Sequence, residues 1–538
     1  MVASYKTVLQ TRMPAQFTTL RAPLKTGNLG VLANPVISTE AKRPVLTDLM
    51  TRATANVPAG EIERSLTLTD AKELEAAQKR IAAACQMVNR PAPGTMAFAT
   101  AGDYFALTPN TPRVGGEAWK DIQVLMHSPE ELLEMTQRGV EIIRGNSEEG
   151  GLSGVALGLP VAGEASRAQK FAADHPELIE KIYALGAEKD MIPPRFLYPI
   201  STANGPKTLF GLMLNNFLAT SSSLGRLSLS INMFNAKSSD LVMEALRKEG
   251  FGDLPDDQLE LLLGFVQSSA PRMFLSDMAE TEKPSSTGHG DYPNTLATAD
   301  MYRTMEGMGI KQFIFANSDE FLWGADPTMI GLADRLIGMG YDGMVMVVPN
   351  SNNQPGCGVV RGLLKPSSPF RLCESMCLPA DLSDGIKNPS AVNTTFYILG
   401  TEAAASKTAQ FLTTAPGLDI KTVNERGRVE QVGCLETWAG NEFTNNLNCA
   451  FVMAPRAGYF LGIKTLEHSH SGKVPPELKD FPNPRFADWS YERVVKYLAD
   501  TQPALLQRLM EGDKTVAYEI WRNGYSYLAD PSITGVQG

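Results

Sequence analysis

Apolar residues in this chain fall into short, nearly continuous runs that alternate with segments of helical period. Gly150 to Gly163 (GGLSGVALGLPVAG) is one such run, ending in a small-residue turn; others are Leu227 to Met233, Phe313 to Ala316 and Asp342 to Pro349. Runs that are apolar at consecutive positions suit strands buried on both faces, as in parallel sheets. Helical patterns lie between and before them: Ser65 to Gln86, with a Thr-Asp start and early acidic residues, then Glu130 to Arg144, Ser239 to Glu249 and Pro327 to Met339. This alternation predicts an α/β protein with a mainly parallel sheet and crossover helices. Residues 1–60, rich in Pro, Thr and Ala, read as an irregular arm, 61–150 as a helical region, and 151–472 as the sheet-bearing domain. Residues 473–538 are proline-punctuated and then helical, a separate C-terminal element.

Length and composition narrow the classes. At 538 residues the chain exceeds one ordinary core, and 43% hydrophobic with 20% charged residues is a globular composition. A net charge of -10, from 49 basic and 59 acidic residues, argues against a general binder of nucleic acid or anionic membrane. No apolar run approaches the ~20 residues of a membrane helix. Six scattered cysteines, with Cys373 and Cys377 four apart and no second pair, read as buried free thiols of a reducing compartment. The expected location is cytoplasmic. The alternative is an organelle such as a plastid, because residues 1–39 lack acidic residues and carry Lys6, Arg12, Arg21 and Lys25.

The candidate chemistry concentrates between Gly288 and Gly324. There the run Gln312 to Ala316 stops at Asn317-Ser318-Asp319. In open α/β sheets ligands collect at the carboxyl ends of strands, so Asp319 is the first choice for a carboxylate on a metal or on metal-bound phosphate. Its plainer alternative is a cap on the following helix. Upstream, His289 stands between Gly288 and Gly290, with Asp291 next; flanking glycines suit backbone that approaches a ligand closely.

Several further pieces appear in a fixed order. They are Ala162-Gly163-Glu164-Ala165-Ser166-Arg167, Pro194-Arg195, Ile231 to Asn235, Phe265-Val266-Gln267 with Pro271, and Gly288-His289-Gly290-Asp291. Asn317-Ser318-Asp319, Val392-Asn393-Thr394-Thr395, Leu435-Glu436-Thr437-Trp438-Ala439-Gly440 and Pro455-Arg456 with Phe460 and Lys464 complete the series. Each fragment is weak alone, but collinear over roughly 155–470 they resemble the UDP-glucose/UDP-sugar pyrophosphorylase family, as a divergent member.

The resemblance implies a Rossmann-like, GT-A-like nucleotidyltransferase fold over 151–472. The implied activity joins a sugar 1-phosphate to a nucleoside triphosphate, with UTP expected, to give an NDP-sugar and pyrophosphate. The implied cofactor is Mg²⁺, held by Asp319. Lys464, Arg195 and Arg167 would meet phosphates, and Gly163, Gln267 and Gly288 the nucleotide. His289, Asn317, Asn393 and Glu436 would meet the sugar phosphate and sugar hydroxyls. For Lys464 and Gln267 the plainer alternatives are a solvated lysine and a loop glutamine.

The chain also departs from that pattern. Its loop at 161–168 holds one glycine and an acidic Glu164, where the family loop is glycine-rich so that backbone N–H groups can cradle phosphates. Arg195 replaces a lysine, Thr395 an asparagine, and the C-terminal segment lacks β-helix periodicity. The alternative function is therefore a pyrophosphorylase-like protein that binds sugar nucleotides without catalysis. A glycosyltransferase of related fold is third.

Overall fold

The computed structural model describes residues 5–27, 39–107, 122–127, 129–145, 151–162, 199–200, 207–222, 224–236, 238–317, 326–349, 357–362, 369–383, 391–411 and 416–454. Its centre is a ten-stranded sheet. In chain order the strands are β1 (Thr18–Thr19), β2 (Phe105–Ala106), β3 (Gln123–Val124), β4 (Val155–Val161) and β5 (Ser230–Phe234), followed by β6 (Leu262–Val266), β7 (Gln312–Ala316), β8 (Gly343–Pro349), β9 (Ala391–Gly400) and β10 (Cys449–Met453). Across the sheet they lie in the order β1-β6-β5-β4-β7-β9-β8-β10-β2-β3. Eight run in one direction; β1 and β9 are antiparallel to their neighbours.

The consecutive apolar runs are explained by burial on both faces. Every residue of β4, β5, β6, β7, β8 and β10 is buried. Leu157, Leu159, Ile314, Met344, Ile398 and Val452 pack on one side with the helices Leu209–Ser222, Ser239–Lys248 and Pro327–Gly338. Ala156, Ile231, Phe313, Phe315, Val345 and Phe451 pack on the other with Asp291–Thr298, Met301–Gly307 and Ala439–Asn446. This is the expected mixed, mainly parallel, doubly covered α/β sheet.

Local chemistry sets the helix boundaries. Asp70 accepts hydrogen bonds from the backbone N–H of Lys72 and Glu73 and starts Ala71–Gln86; a short helix, Glu61–Ser65, precedes it. Asp326 caps Pro327–Gly338 through the Thr328 N–H at 2.9 Å, with Pro327 in the first turn. That helix presses on Pro129–Arg144 at two glycines. A Cβ on Gly139 would lie 1.7 Å from the Pro327 carbonyl oxygen, and one on Gly331 would lie 1.9 Å from that of Met135. Beside this contact Thr136 and Thr328 share a hydroxyl–hydroxyl bond of 2.8 Å.

The N-terminal stretch differs from expectation. Instead of an irregular arm, residues 1–60 carry the helices Tyr5–Arg12, Arg21–Thr26 and Thr39–Thr54, besides β1. Leu46, Leu49, Met50 and Ala53 lie on one face at helical spacing. They are buried against Ile81, Cys85 and a side sheet formed by Arg272–Phe274, Gly417–Glu425 and Arg428–Glu436. A Cβ on Gly433 of that sheet would lie 2.0 Å from the Met50 sulfur, so the helix rests directly on it. Tertiary burial of about 2 kcal/mol per large apolar side chain outweighs the Pro and Thr content. The main sheet also takes β2 and β3 from within 61–150. Residues 473–538 lie outside the described residues.

Candidate active site at the carboxyl edge of the sheet

β4, β5, β6 and β7 are parallel, so their carboxyl ends share one edge. Ala162, Asn235, Gln267 and Asn317 each follow one of these strands. Asn235 Nδ2 donates to the Ala162 carbonyl at 3.4 Å, and the Gln267 N–H donates to the Phe234 carbonyl at 2.7 Å. The strand ends are thereby stitched to one another.

Gln267 is buried at 8% exposure. Its Nε2 donates to the Gly288 carbonyl at 2.5 Å, and because a carbonyl can only accept, this fixes which end of the amide faces Gly288. The opposite atom, Oε1, is buried with no partner among the described residues. Such an acceptor carries a desolvation penalty that an N–H of a ligand would relieve.

Gly288 adopts φ +84°. A Cβ there would sit 2.4 Å from the Thr437 carbonyl oxygen and 2.6 Å from Glu436 Oε1; one on Gly290 would lie 2.6 Å from the Trp438 nitrogen. The two glycines thus let the segment 288–290 lie flush against 436–438. The Gly290 N–H donates to the Thr437 carbonyl at 3.0 Å, while the N–H and hydroxyl of Thr437 both reach the Thr287 carbonyl at 2.8 Å. His289 Nδ1 accepts from the Ala439 N–H at 3.3 Å, which assigns the proton of the neutral ring to Nε2. Lys421 Nζ is 3.8 Å from Glu436 Oε2 and 3.4 Å from Ser285 Oγ.

Asn393 and Asn317 join the same edge through a bulge. β9 pairs with β8 up to Phe396, and the register then shifts, leaving Thr394 and Thr395 unpaired. Thr395 sits at φ +57°. Its N–H donates to Asn393 Oδ1 at 2.9 Å, and its carbonyl accepts from the Asn317 N–H at 3.2 Å. Asn393 also exchanges bonds with the Tyr397 hydroxyl at 2.9 and 3.1 Å, so its amide supports the bulge. A Cβ on Gly440 would be 3.4 Å from Asn393 Nδ2, which places Asn393 beside the segment carrying Glu436.

Six sequence-predicted residues are therefore brought together: Gln267, Gly288, His289, Asn317, Asn393 and Glu436. Gly163, Arg167, Arg195, Asp319 and Lys464 lie outside the described residues; Gly163 and Asp319 are one and two positions beyond the described ends of their segments. Sequence reasoning missed Ser268, Thr287, Thr437, Tyr397 and Lys42. It passed over Asp291 as a site residue, although the Gly-His-Gly-Asp run contained it.

The mixed, mainly parallel sheet covered by helices on both faces defines the class by its architecture, that of the UDP-sugar pyrophosphorylase fold. The crystal structure of the uridine diphosphate N-acetylglucosamine pyrophosphorylase from Trypanosoma brucei in complex with inhibitor matches with a TM-score of 0.51 at 12% identity, over 94% of this chain and 98% of that chain. A mutant UDP-glucose pyrophosphorylase from Leishmania major matches with a TM-score of 0.48 at 12% identity, over 83% of this chain and 81% of that one. No protein-family model matches the sequence, and no curated protein matches it. At such identity the likeness establishes architecture, and the chemistry must be argued from this chain's own residues.

Among the described residues no group of three or more His, Cys, Asp or Glu could hold a metal ion, and no helix is long and apolar enough to cross a membrane. The described cysteines are all free thiols, buried except for the half-buried Cys377, and burial pushes the thiols of Cys85 and Cys434 up to about 11.

Proposed function

We propose that this protein is a nucleotidyltransferase of the sugar-nucleotide pyrophosphorylase type, joining a sugar 1-phosphate to UTP with release of pyrophosphate. The observation that supports it most is the convergence of Gln267, Gly288, His289, Asn317, Asn393 and Glu436, from five separate segments, at the carboxyl edge of one sheet.

In this reading Gln267 Oε1 accepts the imide N–H of uracil, an acceptor already oriented by the bond to Gly288. His289, held through Nδ1, presents Nε2–H to the sugar phosphate. Glu436 takes sugar hydroxyls, and Asn317 and Asn393 line the same edge. The sugar-phosphate oxygen attacks the α-phosphorus as the bond to pyrophosphate breaks. Little covalent chemistry falls to the protein, so positioning and charge neutralisation carry the rate. Lys464, Arg195 and Arg167 are the proposed cations for the phosphates, and Gly163 is the proposed nucleotide-binding glycine.

The proposed ion is Mg²⁺, a cation commonly held by one or two carboxylates with substrate phosphates rather than by a full protein cage. Asp319 is its proposed ligand. When bound, the ion would offset the negative charge of the phosphates.

The test is incubation with UTP and other nucleoside triphosphates, a panel of sugar 1-phosphates and Mg²⁺, with pyrophosphate measured. Release that requires both substrates is expected. Stabilisation by nucleotide-sugar without any release would favour the binding-only alternative, for which the single-glycine loop with Glu164 is the motivating feature.

A further inference from the structure

The helix Thr39–Thr54 sends the side chain of Lys42 toward the site. Lys42, half-buried near its start, places its ammonium on Ser268 Oγ. Ser268 directly follows Gln267, and both its donors are spent on one buried carboxylate. Its N–H reaches Asp291 Oδ2 and its hydroxyl reaches Asp291 Oδ1, each at 2.7 Å. With its proton given to Asp291, Ser268 Oγ is left to accept from Lys42 and faces Thr287 Oγ1 at 3.0 Å. Thr287 in turn carries Thr437 on its carbonyl. One cation from the N-terminal region is thereby linked through a hydroxyl to the three segments that carry Gln267, His289 and Glu436.

Electrostatics agrees with the geometry. Burial lowers the pKa of Lys42, and the Asp291 carboxylate opposes that shift. An ammonium taken partly out of water is retained where a specific anionic partner compensates it. The rest of the helix is anchored independently through Leu46, Leu49, Met50 and Ala53, so Lys42 is not needed to seat it.

We propose that Lys42 is a positioning residue for nucleotide recognition, holding the Gln267–Ser268 and Thr287–Asp291 segments in register through its bond to Ser268. It does not touch the nucleotide itself. This rests on the reading of the site as a nucleotide site. The Thr39–Thr54 helix thus becomes part of the recognition apparatus and not only a brace on the side sheet.

The experiment compares wild-type protein with Lys42→Met, Lys42→Arg and a control, Lys25→Met, whose lysine pairs with Asp256 on the surface. UTP affinity is measured by calorimetry, and amide hydrogen exchange is followed over 266–269 and 287–291 without ligand. Lys42→Met should weaken UTP binding by about tenfold, as for loss of a charged hydrogen bond. It should also speed exchange in both segments, while Lys42→Arg restores most of the affinity and the control changes neither. Unchanged exchange and affinity in Lys42→Met would overturn the proposal, as would faster exchange confined to 39–54 with affinity intact. A wild-type protein that binds no UTP would sink the reading of the site and this inference with it, an outcome recognisable before any variant is compared.

Discussion

Replacing Gln267 by Met separates the cost of a buried polar group from its use. The substitution nearly keeps volume and removes both amide atoms. Removing Nε2 deletes the 2.5 Å bond to the Gly288 carbonyl, but that carbonyl keeps the Asp291 N–H at 3.3 Å. The loss is therefore about 1 kcal/mol and does not include a fully orphaned acceptor. Removing Oε1 deletes a buried acceptor that has no partner among the described residues, a gain of about 1–3 kcal/mol. The sum predicts a stability equal to wild type or higher by up to about 2 kcal/mol. Nucleotide binding goes the other way, since the acceptor for the base is gone. A loss of about 1–2 kcal/mol weakens UTP binding roughly 5- to 30-fold. Urea unfolding and calorimetry read the two effects separately. A variant destabilised by more than about 2 kcal/mol that binds UTP normally would refute the argument, because Gln267 would then be a structural amide.

Four further substitutions probe other parts of the account. Gly288→Ala combines a left-handed φ of +84° with a Cβ 2.4 Å from the Thr437 carbonyl; it should cost about 3 kcal/mol or more in unfolding experiments and impair UTP binding, and a wild-type unfolding midpoint would show the contact to be soft. Gly331→Ala drives a Cβ to 1.9 Å from the Met135 carbonyl oxygen; it should destabilise by about 2 kcal/mol or more while leaving the UTP affinity of the folded fraction unchanged. Thr395 is β-branched at φ +57°; Thr395→Asn, a residue that tolerates this conformation, should stabilise by about 1 kcal/mol in urea, whereas a loss would mean that the threonine hydroxyl matters more than the backbone strain. Asp319→Asn should abolish Mg²⁺-dependent pyrophosphate release with the circular dichroism and melting of wild type, and full activity would remove Asp319 from the mechanism.

The legible parts of the chain were those where one local rule governs. Consecutive apolar residues located β4, β7 and β8 because strands buried on both faces have no polar side. Asp70 marked a helix start because a capping carboxylate acts within three residues. The motifs at 267, 288–289, 317, 393 and 436 were readable as fragments, and the fold brings all five together. Lys42 was not legible, since its role depends on Ser268, 226 positions away, and the sequence holds no sign of that contact. The Thr39–Thr54 helix was legible in principle. Leu46, Leu49, Met50 and Ala53 repeat at helical spacing, but Pro44 and the surrounding threonines obscured the period. Asn393 carries a different lesson: its motif suggested a sugar ligand, while its amide oxygen is occupied by Thr395 and Tyr397 in shaping the bulge.

The most direct test of the whole account is the position of a bound sugar nucleotide, seen in a crystal structure of the protein with UDP-glucose and Mg²⁺. The uracil is expected against Gln267 Oε1, the phosphates toward Asp319 and Lys464, and the hexose between His289 and Glu436. Density for the nucleotide elsewhere would contradict the account. One such place is the cleft of about 740 Å³ lined by Phe105, Tyr341, Phe370 and Phe451.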